Sequence, residues 1–195
     1  MKEKIILLAV SPNKEGNSFT LAKNFLSQIN SDKYEVEIIY LYNWHLNYCS
    51  NENFNFGPEE KDVEKEAKEL FSKFKNTKYV VLATPIWNFG LPAILKNFLD
   101  RASNYGRVWS DKKNMKVPNW KEKKFFLIFT SGAPKVGLVL NFVAILQTFL
   151  SLKYYGAKKK IVKIKGSCGN GKRNLLKDKT RLLNKMSKKG KKIFI

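Results

Sequence analysis

Short, continuous apolar runs alternate along the chain with longer segments in which apolar residues recur every three or four positions. Runs of the first kind are typical of strands that are covered on both faces of a sheet. The run at 4–10 is of this kind, and four further strands are predicted at 34–41, 79–84, 124–130 and 160–165, although 34–41 and 160–165 also contain charged residues. The alternation therefore predicts five strands that are separated by helices.

The segments between the strands have the periodicity of amphipathic helices. The predicted helices begin at Ser18 and Pro58 or cover 92–104, 138–155 and 174–189. Acidic residues follow Pro58, where the helix dipole favours them, and Gly156 is placed to end the fourth helix. The buried side of the last helix is predicted to consist of Leu175, Leu176, Leu182, Leu183 and Met186.

Strands that alternate with helices predict a parallel sheet with right-handed crossovers. Five strands fit the doubly wound order 2-1-3-4-5, an α/β fold of three layers with helices on both faces of the sheet. The segment 42–57, rich in Asn and aromatic residues, matches no regular element. Because no repeat or linker is visible, we expect one domain over residues 1–195.

Composition changes this picture mainly through charge. The chain has 195 residues, a net charge of +21 and an ordinary hydrophobic fraction of 44%. Residues 158–195 hold fifteen Lys and Arg residues against one acid, Asp178. A basic tail can indicate nucleic acid, an anionic membrane or an acidic ligand. We interpret it as composition bias without a nucleic-acid partner, because no aromatic base-stacking pattern accompanies the basic residues.

The cysteines and the apolar segments bear on location. Cys49 and Cys168 have no metal-type spacing, so no metal site is predicted, and a thiol-reducing compartment fits better than a disulfide scaffold. The first residues lack a signal-peptide layout, and the apolar stretch 136–152 is shorter than the ~20 residues of a membrane span. We expect a cytoplasmic protein in which this stretch is a buried helix or the face of a dimer.

Ligands of such sheets bind at the carboxyl ends of the strands, where the strand order reverses. That point lies between the first and third strands, which selects the loops 11–18 and 84–91, with 130–135 beside them. The first loop offers Ser11, Ser18 and a helix N-terminus, a combination that binds phosphate. Taken alone, it is more simply an ordinary helix cap.

The second loop places Trp87 and Phe89 around Asn88. A flavin ring needs a flat apolar neighbour and hydrogen-bond donors at its polar edge, which turn amides and an Asn can supply. The alternative is that these aromatic residues fill the core at a strand end. The third loop, with Ser131 and Gly132, is an ordinary β–α turn by itself. The three loops together favour a flavin site, because the fold places them at one edge of the sheet.

The residues at these loops carry a resemblance to a known family. Ser18-Phe19-Thr20 is similar to the family's phosphate segment, and Ile86-Trp87-Asn88-Phe89 to its flavin loop, which is followed here by a typical Leu-Lys-Asn-Phe-Leu-Asp helix. Tyr105–Trp109 lies where the family has a Gly and an overhanging aromatic residue. Over nearly its whole length the chain resembles the flavodoxin-like, FMN-dependent NAD(P)H oxidoreductases, closest to the azoreductase and quinone oxidoreductase group.

The resemblance implies a flavodoxin-like fold, FMN as cofactor and NADH or NADPH as electron donor. The residues that it implies around FMN are Ser11, Ser18, Phe19, Thr20, Pro85, Ile86, Trp87, Asn88, Phe89, Ser131 and Gly132. Trp109 and Asn88 would border the substrate pocket, with Trp109 acting across a homodimer interface. No side chain is required as acid or base, and His45 is expected to be a surface or structural residue.

The chain departs from the family at three places. Trp87 replaces the commoner Tyr, Ala133-Pro134 replaces a second Gly, and the single Cys49 excludes the cluster of iron–sulfur flavoproteins. The expected activity is ping-pong hydride transfer to quinones, azo compounds or similar small acceptors. The alternatives are a flavodoxin-type electron carrier and a basic protein that binds nucleic acid or anionic surfaces.

Overall fold

Five parallel strands form a single sheet in the order β2-β1-β3-β4-β5. The strands are β1 (Glu3–Ala9), β2 (Tyr34–Tyr40), β3 (Tyr79–Ile86), β4 (Lys124–Ser131) and β5 (Lys158–Gly166). These assignments come from a computed structural model that describes residues 2–48, 62–108, 120–132, 141–166 and 179–194. The predicted strand order and the parallel pairing are confirmed.

Helices cover both faces of the sheet, which confirms the three-layer fold. They are α1 (Asn17–Leu26), α2 (Asp62–Lys75), α3 (Ala93–Val108), α4 (Phe142–Tyr154) and α5 (Thr180–Ile193), with a 3₁₀ turn at Leu41–Asn43. One buried cluster joins α2, α3 and α4 to one face of the sheet. A second cluster joins α1 and α5 to the other face. β1 is buried on both faces, as its continuous apolar run predicted.

Several boundaries differ from the prediction. β3 continues through Pro85 to Ile86. Beyond Ala83 its only paired strand is β4, so the N–H group that Pro85 lacks is not needed for pairing on the β1 side. α3 runs to Val108, four residues past the predicted end. α4 begins at Phe142 after its N-cap Asn141, while 138–140 and 174–178 lie outside the described residues.

Two local features end α4 and bend β5. Gly156 has a φ of +76°, a conformation that suits glycine, and its N–H donates to Lys153 O, so it ends the helix as predicted. β5 carries a β-bulge opposite β4, where Leu127 pairs with Ile161 but Ile128 pairs with Lys163. Val162 is therefore the extra residue of the bulged strand.

α5 packs against α1 with backbone contact at Gly190. A Cβ atom at Gly190 would lie 1.6 Å from Phe25 O, so only glycine permits this approach. Phe194, 1% exposed, then closes an aromatic cluster on the same face of the sheet. Its ring lies 5.3–5.9 Å from the rings of Phe25, Tyr34, Tyr79 and Phe126.

Among the helices that the structure describes, none combines the length and the apolar composition that crossing a bilayer requires. The most apolar of them, α4, has 13 residues. The apolar stretch noted in the sequence is thus no membrane span over its described part.

Candidate functional site

The carboxyl ends of β1, β3 and β4 lie side by side at one edge of the sheet. Val10 N–H donates to Ala83 O across 2.8 Å, which joins the end of β1 to β3. At the end of β4, Ser131 is the register partner of Ile86. The loops that follow these strands therefore start at adjacent positions, as the strand order predicted.

The first loop is held by its own short-range hydrogen bonds. Ser11 Oγ accepts the N–H of Asn13 at 3.2 Å, and Asn13 Oδ1 accepts the N–H of Glu15 at 2.9 Å. Gly16 N–H then donates to Asn13 O at 3.0 Å. A Cβ atom at Gly16 would lie 3.0 Å from Asn13 O, tighter than most side chains tolerate. The loop is compact because glycine occupies its last position.

The loop ends at the N-terminus of α1, where no side chain caps the helix. Gly16 is the N-cap in an extended conformation, and its carbonyl accepts the N–H of Thr20 at 2.9 Å. The N–H groups of the first helical turn have no acceptor within the helix, and the helix dipole places positive potential there. This arrangement suits a phosphate group.

Three of the residues predicted around the FMN phosphate, Ser18, Phe19 and Thr20, lie at this helix end and differ in exposure. Ser18 is 2% exposed and Phe19 is 6% exposed. The ring of Phe19 packs 5.3 Å from that of Tyr40 inside the core, so this residue can offer only its backbone N–H to the site. Thr20 Oγ1 lies 3.4 Å from Glu15 O, a weak bond that leaves the hydroxyl available.

The second loop is a tight turn with an unusual backbone. Trp87 and Gly90 exchange two hydrogen bonds, N–H to O, of 3.1 and 2.9 Å. The two central residues both have positive φ, 47° at Asn88 and 63° at Phe89. Asn tolerates this left-handed conformation, whereas a Phe there is strained. Strain of this kind persists where the surroundings demand it and is concentrated at ligand sites.

This turn presents rings and amides outward. Trp87 is 46% exposed and Phe89 is 48% exposed. The turn's own hydrogen bonds use the N–H groups of Trp87 and Gly90. Within the described ranges, the N–H groups of Asn88 and Phe89 donate to no protein acceptor, so they can bind a ligand. The core-filling alternative does not hold for these two exposed aromatic residues.

The remaining predicted residues take different positions. Ile86 is 4% exposed within the core, so only its backbone can face the site, and Pro85 O accepts the hydroxyl of Thr84 at 2.9 Å. Ser131 is buried at the end of β4 and Gly132 is exposed beside it. Trp109 lies outside the described residues, as do Cys49 and Cys168.

Two buried polar residues on α3 hold a neighbouring segment that the sequence analysis left unplaced. Asn97 Nδ2 donates to Leu46 O and Asn47 O at 3.0 and 3.1 Å, and Arg101 Nη1 donates to Asn47 O at 3.2 Å. These bonds attach the previously unplaced segment before residue 49 to the helix that follows the aromatic turn. In the sequence, the sign of these contacts was an Asn and an Arg spaced four residues apart on the buried face of an apolar helix.

His45 is a surface residue in this structure. Its side chain is 86% exposed, and its Nδ1 lies 3.5 Å from Glu66 Oε2. The same carboxylate accepts the backbone N–H of His45 at 2.9 Å. His45 therefore helps to hold the segment after β2 against α2, and the prediction of a surface or structural role is confirmed.

The donors at this edge fit FMN. An uncapped helix N-terminus can take the phosphate, and exposed aromatic rings beside free turn amides can take a flat ring with a polar edge. The fit rests on Gly16, whose lack of a side chain keeps the first loop compact, and on the strained turn at Asn88 and Phe89.

Comparison with known proteins gives a consistent result. A family model described as the flavodoxin-like fold matches residues 3–147. The FMN-dependent NADH:quinone oxidoreductase of Pelagibacter ubique is 30% identical over 165 residues, which cover 80% of this chain and 85% of that protein.

Two solved structures share the fold over almost their full length. The NAD(P)H:quinone oxidoreductase from Methanothermobacter marburgensis superimposes with a TM-score of 0.70 at 16% identity, covering 99% of this chain and 96% of the other. An FMN-dependent NADH-azoreductase from Bacillus anthracis, solved with FMN, gives 0.63 at 16% identity, with coverages of 98% and 97%. The chain belongs to the flavodoxin-like family that includes the FMN-dependent NADH:quinone oxidoreductases.

Proposed function

We propose that this protein is an FMN-dependent NADH:quinone oxidoreductase, which also accepts azo compounds or similar small acceptors. The observation that carries the proposal is the strained turn at Asn88 and Phe89 beside the uncapped N-terminus of α1. Relatives with this activity and a structural neighbour solved with FMN support it. A binding protein for nucleic acid has no such support at this site.

Each part of the site has a distinct task in this proposal. The N-terminus of α1, with Ser11, Ser18 and Thr20, would hold the phosphate of FMN. The turn amides of Asn88 and Phe89 would donate hydrogen bonds to the polar edge of the ring and stabilise negative charge on it. FMN, when bound, supplies two-electron redox chemistry that no side chain offers.

Donor and acceptor would use the same space in turn. The rings of Trp87 and Phe89 border one open edge of the sheet, and they would exclude water from one side of a bound ring. A single such space predicts a ping-pong scheme, in which the oxidised nicotinamide leaves before the quinone enters. No acid or base is required from the protein, which is consistent with the surface position of His45.

We also propose a homodimer formed through α4. One side of this helix packs in the core, while its other side exposes large apolar residues, Phe142, Val143, Leu146, Leu150 and Tyr154, at 40–60% of their surface. A second copy of the same face would cover these five side chains. A cytoplasmic location, where NADH is available, fits this assignment.

The test is an absorbance spectrum of the protein with added FMN, followed by anaerobic addition of NADH or NADPH. Loss of the bound-flavin band near ~450 nm is expected, faster with the preferred nucleotide. Bound flavin that is not reduced would favour an electron carrier, and absence of flavin binding would contradict the proposal. W87A should weaken FMN binding at least about tenfold, whereas I38A, an exposed apolar change on β2, serves as the control.

A further inference from the structure

The edge of the sheet next to the site is strongly basic. β5 has five lysines, and residues 179–194 have six lysines and Arg181, while neither segment contains an acid. The basic side chains of these two segments that are exposed or partly exposed form what we call the lysine face. It consists of Lys158, Lys159, Lys160, Lys163, Lys179, Arg181, Lys185, Lys188, Lys189, Lys191 and Lys192.

The two elements bring these charges together. Lys189 Nζ on α5 donates to Val162 O on β5 at 2.6 Å, which fixes the helix against the strand. Burial, and then the charges of Lys160, Lys163 and Lys185, lower the pKa of Lys189. The ammonium groups of Lys160, Lys163 and Lys185 therefore all lie within electrostatic reach of that of Lys189.

Nothing in the described part of the chain neutralises this face. The ion pairs in the described residues use Glu3, Glu37, Glu66 and Asp100, and none of their basic partners lies on β5 or α5. Lysines on an edge strand can be explained as protection against strand pairing. That explanation does not extend to α5, because a helix has no open edge to protect.

The composition of the lysine face limits the chemical classes of partner that it can bind. All but one of its basic residues are lysines, which interact with phosphate groups as point charges. Leu182, Leu183 and Met186 of α5 pack towards the core. The face thus offers neither aromatic rings for base stacking nor apolar side chains for insertion among acyl chains.

The strand that carries part of the lysine face also ends beside the candidate site. Gly166, at the end of β5, is the register partner of Ser131, and Lys165 is that of Thr130. Neighbouring strands lie about 4.8 Å apart. A surface that contacts the β5 edge is therefore one strand away from the carboxyl end of β4.

We propose that the lysine face docks the protein on anionic lipid bilayers by electrostatic adsorption, so that the site lies next to quinones dissolved in the membrane. The docking rests on the charge and the geometry of β5 and α5. Its benefit rests on the proposed quinone reductase activity, because long-chain quinones partition into the bilayer.

The test measures sedimentation with phosphatidylcholine vesicles, with and without about 30 mol% phosphatidylglycerol. The wild type should bind the anionic vesicles only and should be released as salt rises from about 50 to about 300 mM. K160Q/K163Q/K185Q should lower the affinity at least about tenfold. The control K65Q/K68Q/K75Q removes the same charge from α2 and should change it less than about twofold.

Three outcomes would overturn the proposal. They are no binding of the wild type to anionic vesicles at low salt, an equal loss in both triple variants, and tighter binding to duplex DNA without vesicle binding. NADH oxidation with a water-soluble quinone, measured without vesicles, keeps the two proposals separate. If that activity is absent while vesicle binding depends on Lys160, Lys163 and Lys185, the docking surface stands and the proposed reaction fails.

Discussion

Lys189 Nζ supplies the hydrogen bond for Val162 O, the carbonyl of the extra residue in the β5 bulge, at 2.6 Å. This carbonyl belongs to a residue that has no register partner on β4. The ammonium group of Lys189, on the helix that faces β5, gives this carbonyl a hydrogen-bond donor. The same contact attaches α5 to the edge of the sheet.

K189M tests this connection because it keeps the aliphatic stem and removes the donor. We expect a loss of about 1–2 kcal/mol in the free energy of unfolding, since the bulge carbonyl becomes unpaired. Urea unfolding at neutral pH measures it. K188M, a change at the exposed neighbouring lysine, should stay within about 0.5 kcal/mol of wild type; equal losses in both variants would refute the role of the bond.

G190A should be among the most damaging single changes in the chain. The added Cβ atom would meet Phe25 O at 1.6 Å, so α5 and α1 must separate. We expect a loss of about 3 kcal/mol or a shift to a partly folded state. K191A, at the next and exposed position of the same helix, gives the thermal-unfolding comparison; similar melting temperatures for the two would mean that the helices do not approach this closely.

Asn88 allows the turn geometry to be tested apart from its side chain. N88V places a β-branched residue at a φ of 47° and should distort the turn, lowering FMN affinity at least about tenfold. N88G tolerates that φ and removes the same amide group, so it should bind FMN more tightly than N88V. Fluorescence titration of FMN decides, and identical affinities would show that the side chain rather than the backbone matters.

The ion pairs of Glu37 predict how the free energy of unfolding changes as the pH becomes acidic. Burial tends to raise its pKa, but hydrogen bonds from Lys4 and Lys73, at 2.8 and 3.0 Å, outweigh this and leave the pKa lowered. Its contribution is therefore complete above the unfolded pKa and is lost as the pH falls. E37Q should cost about 0.5–1 kcal/mol at pH 7 and almost nothing near pH 3. E35Q, which removes a charge at an exposed position of the same strand, serves as the control.

Asn141 predicts a stabilising change. It is 1% exposed, and neither polar atom of its side chain has a hydrogen-bond partner among the residues described. N141L should raise the free energy of unfolding by about 1 kcal/mol, because an unsatisfied amide is removed. T148V, which removes a hydroxyl bonded to Ala144 O in the same helix, should not stabilise. A destabilised N141L would indicate that the amide has a partner.

The order of the strands could be read from the sequence because buried parallel strands and amphipathic helices have different periodicities. The irregularities within those strands and helices could not be read from the sequence. Pro85 suggested that β3 ends at residue 84, yet it continues because β1 has already ended beside it. The bulge at Val162 and the contact at Gly190 depend on partners far along the chain, which no local pattern encodes.

The site was predicted as a set of loops rather than as a geometry. The sequence placed Trp87, Asn88 and Phe89 at the sheet edge, but a turn with two positive φ angles usually contains glycine at one of them. Without glycine at 88 or 89, nothing local signalled the left-handed backbone. The inward position of Phe19 and Ile86 was likewise hidden, because apolar residues at strand and helix ends fit a pocket and a core equally.

The position of Phe194 has a consequence for biosynthesis. Its ring completes an aromatic cluster with residues of α1, β2, β3 and β4, which the ribosome makes much earlier. Domains are synthesised from the N-terminus, so the part of that face that α5 covers stays open until α5 has emerged, although α1 covers the rest earlier. The nascent chain therefore has to protect an open apolar surface through most of its translation, and chaperone demand should fall only when the residues near Phe194 leave the exit tunnel.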